Sequence, residues 1–88
     1  RLSARAALQA LAKAVAVAPG PEETLALALD LHERLTGRRP PAGTGFAGLP
    51  AGMDVFFERA LHSDPQRRFR NGTELLGAFR SIVDPAVD

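Results

Sequence analysis

The apolar residues of this chain fall into four blocks, each with helical spacing. In the first, Ala4, Ala7, Leu8, Leu11 and Val15 recur every three or four residues and so share one face. Alanine, the best helix former, fills most of the places between them. Ser3 is placed to cap the block. Val17-Ala18-Pro19-Gly20 ends it, since proline cannot continue the hydrogen-bond ladder and Pro-Gly marks a turn. The pattern predicts a helix over about 3–17.

The second block follows at once. Pro21 suits a first helical turn, where no backbone donor is needed, and Glu22 and Glu23 complement the positive end of the helix dipole. Leu25, Leu27, Ala28, Leu29, Leu31 and Leu35 spread beyond a single stripe, which predicts a central helix over 21–36, buried nearly all round. Gly37 reads as its C-cap, Arg38 and Arg39 sit near its negative end, and Pro40-Pro41 forbid continuation. Residues 38–49 then form a proline- and glycine-rich linker, in which Phe46 is expected to pin the loop to the core.

Met53, Phe56, Phe57, Ala60 and Leu61 give the cleanest amphipathic pattern and predict a third helix over 51–63, with Asp54, Glu58, Arg59 and a solvated His62 on its polar side. Ser63-Asp64-Pro65 reads as a cap and a first-turn proline, opening a short helical turn through Arg68. In Asn71-Gly72-Thr73-Glu74 the asparagine can accept from the third amide while Glu74 reaches back, which is a capping box. Leu75, Leu76, Phe79, Ile82 and Val83 supply the buried face of a fourth helix over 72–83, stopped by Asp84-Pro85. No strand alternation survives outside these patterns. The expectation is one all-α domain over 1–88, a compact four-helix array.

Composition narrows the chemistry. The chain has 88 residues and no cysteine. That length folds without disulfides or a metal, and the missing thiols remove disulfides, thiolate ligands and cysteine nucleophiles. Two separated histidines, His32 and His62, do not make a metal site, so no metal or cofactor is expected. A partly buried His32, bonded to a backbone carbonyl, is the expected role for the first of them. No apolar run approaches the roughly 20 residues of a membrane span, and no signal-peptide pattern is legible. A chain opening on Arg1 reads as a piece of a longer, cytoplasmic protein. Eleven basic residues face ten acidic ones, for a net charge of +1, a balance that does not suggest a dedicated nucleic-acid binder. Lys13 is the only lysine. A GC-rich coding sequence accounts for such an arginine bias; bidentate contacts to carboxylate or phosphate are the functional alternative.

Two stretches resemble a known family. Residues 49–83, LPAGMDVFFERALHSDPQRRFRNGTELLGAFRSIV, are similar to the end of bacterial serine/threonine protein kinase domains, with Ala60-Leu61, Asp64-Pro65, Arg68-Phe69, Glu74-Leu75 and Ala78 at matching spacings. Residues 23–41, ETLALALDLHERLTGRRPP, resemble the central helix of the same C-terminal lobe, through Glu33 and Leu35-Thr36-Gly37-Arg38-Arg39-Pro40. The chain departs from the family where chemistry would lie. Glu23 stands for an aspartate, Ala28 for a glycine and Pro41 for a phenylalanine, and only residues 42–48 stand where the family has a substrate-docking helix. There is no Gly-rich phosphate loop, no H-R-D catalytic loop, no D-F-G and no A-P-E. The resemblance therefore implies a kinase-lobe-like fold without catalysis, and no enzyme is expected.

In the family, the arginine at the place of Arg68 pairs with the glutamate of A-P-E, which is missing here. The resemblance thus makes Glu22 or Glu23 the candidate partner in a structural ion pair with Arg68. A phosphate or partner-carboxylate site at Arg68 is the alternative. Arg38, Arg39, Arg59, Arg67 and Arg70 are candidates for binding a partner. The first helix, absent from the family pattern, is expected to fill the groove left by missing elements, with a homodimer surface as the alternative. The function these readings favour is a non-catalytic protein–protein interaction or regulatory module. A structural fragment of a degenerate kinase domain and a small nucleic-acid binder using the arginine clusters are the alternatives.

Overall fold

A computed structural model describes residues 3–37 and 52–84. Four α-helices form, α1 over Ala4–Val17, α2 over Thr24–Thr36, α3 over Met53–Ala60 and α4 over Gly72–Val83. Short 3-10 turns over Pro21–Glu23 and Pro65–Arg67 lead into α2 and toward α4. The all-α expectation holds, and no strand forms among the described residues. The radius of gyration, 11.8 Å, matches the roughly 12 Å of a close-packed chain of this length. The expected linker 38–49, with Arg38, Arg39 and Phe46, lies outside the described residues, as does Ala51.

The ends of the helices follow from local chemistry. Ser3 Oγ accepts the Ala6 amide at 3.2 Å and opens α1. The predicted helix over 21–36 divides in two: Pro21–Glu23 form a tighter turn, and α2 starts at Thr24, whose hydroxyl donates to the Pro21 carbonyl at 3.0 Å. Gly37 closes α2 with φ +76°, a left-handed conformation that glycine adopts without a Cβ penalty. The expected third helix runs too long. The Leu61 amide still bonds to Phe57 O at 2.9 Å, but the His62 amide bonds to Arg59 O at 3.2 Å, a tightened last turn that ends α3.

The four helices converge on one core. α2 packs against α1, α3 and α4, and α1 packs most extensively on α4. Phe57, Phe79, Leu31, Met53 and Leu75 are its largest fully buried side chains. Phe56 stands amid a ring cluster, 5.0 Å from Phe57, 5.4 Å from Phe69 and 5.4 Å from Phe79 between centroids. His32 is buried on α2, with its ring edge-on to Phe57 at 5.2 Å. Its Nδ1 lies 3.3 Å from Thr36 Oγ1, which also lies 2.9 Å from the His32 carbonyl oxygen. The prediction that α2 would be buried nearly all round is corrected at Leu25, which is exposed. Leu25, Leu27 and Leu29 alternate along a helix that turns about 100° per residue, so all three cannot face the same neighbours.

The first helix fills the core. Ala7, Leu11 and Val15 are buried against the rest of the domain, while Arg5, Gln9 and Lys13 are exposed. Its small residues permit the close approach to α4, and Arg5 reaches Asp84 beyond the end of α4 at 3.8 Å.

Candidate functional site

α3 directs Met53, Phe56, Phe57 and Ala60 inward, which leaves Asp54, Val55, Glu58 and Arg59 exposed. Val55 is an apolar side chain 68% exposed among these charges. The chain then turns sharply through Ser63-Asp64-Pro65. Asp64 caps the Pro65–Arg67 turn by accepting the Gln66 amide on Oδ1 at 3.0 Å. This brings Arg67 back beside α3. Val55, Glu58, Arg59, His62 and Arg67 line a shallow, solvent-open groove of about 430 Å³.

Each polar lining residue is held differently. Arg59 Nη2 donates to Glu74 Oε1 at 3.1 Å, and its guanidinium carbon lies 4.4 Å from the centre of the Phe69 ring. It is thus anchored by a carboxylate and a π face together. Arg67 is looser, with Nε 3.7 Å from Asp64 Oδ2 and most of its side chain in water. His62 does not sit solvated on the polar side of a helix, as its spacing suggested. It lies past the end of α3, half-buried, and its Nδ1 accepts the Asp64 amide at 2.9 Å.

Glu74 was expected to complete a capping box, and Asn71 Oδ1 does accept the Glu74 amide at 2.9 Å. The reciprocal bond falls one residue earlier, with Glu74 Oε1 accepting the Arg70 amide at 3.1 Å. The same oxygen holds Arg59. The sequence pattern marked Glu74 as a cap but gave no sign of this second duty, because Arg59 and Glu74 are fifteen positions apart.

The proposed pairing of Arg68 with Glu22 or Glu23 does not form; neither carboxylate lies within ion-pairing distance of Arg68. The Glu22 carboxylate folds back over Gly20, so close that a Cβ on that glycine would come within 2.5 Å of Oε1. Glu23 is held in the Pro21 turn, its amide bonded to Gly20 O at 3.2 Å. Arg68 Nε is buried without a hydrogen-bond partner. Arg70 is exposed and meets Glu74 through its backbone amide. Of the five candidate partner-binding arginines, the structure brings Arg59 and Arg67 to one groove and sets Arg70 on the neighbouring turn.

Among the described residues no group of histidine and carboxylate side chains could hold a metal ion, and no helix is long and apolar enough to cross a membrane. No protein-family model, curated protein or solved structure matches the chain.

Proposed function

We propose that this domain is a non-catalytic protein–protein interaction or regulatory module, derived from the helical end of a kinase-like lobe and working inside a larger cytoplasmic bacterial protein. The observation that carries the proposal is the groove beside α3, where exposed Val55 stands at one end of a row of Glu58, Arg59 and His62, with Arg67 also lining it. An apolar contact beside polar and charged groups suits a protein interface. Arg59, paired with Glu74 and set over Phe69, gives up less rotamer freedom on binding than a free arginine would. A nucleic-acid surface has less support, because Arg59 is neutralised by Glu74 and Arg67 faces Asp64.

The test is site-specific photocrosslinking from position 55, with position 34 on α2 as a control on another exposed surface. A saturable crosslink to a defined bacterial protein from position 55, competed by unlabelled wild-type domain but not by unlabelled domain carrying Val55→Asp, supports the proposal. The same substitution should leave the melting temperature within about 3 °C of wild type, as expected for an exposed site. Equal labelling from both positions, or competition by the Val55→Asp domain as strong as by wild type, would defeat it.

A further inference from the structure

We draw no further inference here: the strongest candidate, the open groove along the outer face of α3 between Val55 and Arg67, belongs to the site already described, and with its carboxylates and guanidiniums offsetting one another nothing in the structure shows what covers it.

Discussion

Two glycines of α4 should respond to alanine with opposite signs. At Gly77 a Cβ would meet nothing within 4 Å. Alanine there removes the entropic penalty of an interior helical glycine, a gain of about 0.5–1 kcal/mol. At Gly72 a Cβ would lie 3.3 Å from Leu27 Cδ1, Val15 Cγ1 and Pro19 Cα at once. The leucine and valine methyls can give a few tenths of an ångström by rotation. The Pro19 backbone cannot move freely, because the Gly72 amide donates to Pro19 O at 2.9 Å and holds the two segments together. Overpacking of this kind costs about 1–3 kcal/mol, and a strained hydrogen bond adds to it. The propensity gain at Gly72 offsets only part of that, which leaves a net loss of about 1–2 kcal/mol. For a domain of this size each kcal/mol moves the melting temperature by about 4–8 °C. Gly77→Ala should therefore melt several degrees above wild type and Gly72→Ala several degrees below it, followed by circular dichroism at 222 nm, a standard helix wavelength, and confirmed by the urea midpoint at unchanged m-value. If Gly72→Ala is as stable as wild type, or both variants shift upward together, helix propensity outweighs packing and the close approach of α4 to the α1–α2 connection has been misjudged.

Other substitutions probe the remaining contacts. Phe56→Ala should cost about 3–5 kcal/mol by emptying the centre of the ring cluster, measured by urea unfolding; a loss below about 1 kcal/mol would mean that the cluster does not hold the helices together. A double-mutant cycle of Arg59→Ala and Glu74→Ala should give a coupling of about 0.5–1 kcal/mol, since both side chains are partly in solvent, and the coupling should shrink in high salt. A coupling insensitive to salt would argue against an ion pair. Arg68→Met keeps the stem and removes the unpartnered Nε, so it should leave stability unchanged or raise it by about 1 kcal/mol. A marked drop in melting temperature would show that the guanidinium makes a stabilising contact after all. Asn71→Ala should cost about 1 kcal/mol by uncapping α4, and Asn71→Asp should recover most of it.

Periodicity placed the helices well where apolar spacing and caps agreed. Ser3 and Asn71 announce the starts of α1 and α4, and their side chains make the expected bonds. It failed where the two diverged. Leu61 continues the apolar rhythm of α3, yet the backbone has already turned, because the bond from His62 to Arg59 tightens the end before the pattern stops. In the second helix the glutamates and Pro21 signal a start correctly, but the signal cannot separate a 3-10 turn from the first α-helical turn.

The site was less legible for a different reason. A groove is made by pairs distant in sequence, and no one-dimensional spacing reports that Glu74 will reach Arg59 or that Phe69 will lie beneath it. The pairing of Arg68 with Glu22 or Glu23 rested on a resemblance rather than on these residues' own pattern. The structure spends Glu22 on its own turn instead. Val55 was overlooked because a single apolar residue on a polar face has no periodic partner to mark it.

The contact between Arg5 and Asp84 has a topological consequence. It sets the first turn of α1 beside the residue that follows α4, so the described chain enters and leaves the globule at nearly the same place. A domain built this way behaves like a bead on a loop. Joining Ser3 to Asp84 through a short linker would therefore close the described chain with little strain. The same closure makes the ends interdependent. α1 can dock on α2 early, but its largest interface waits for α4, so that contact forms only once nearly all the described chain has been made, and loss of either α1 or α4 removes the largest packing surface of the other.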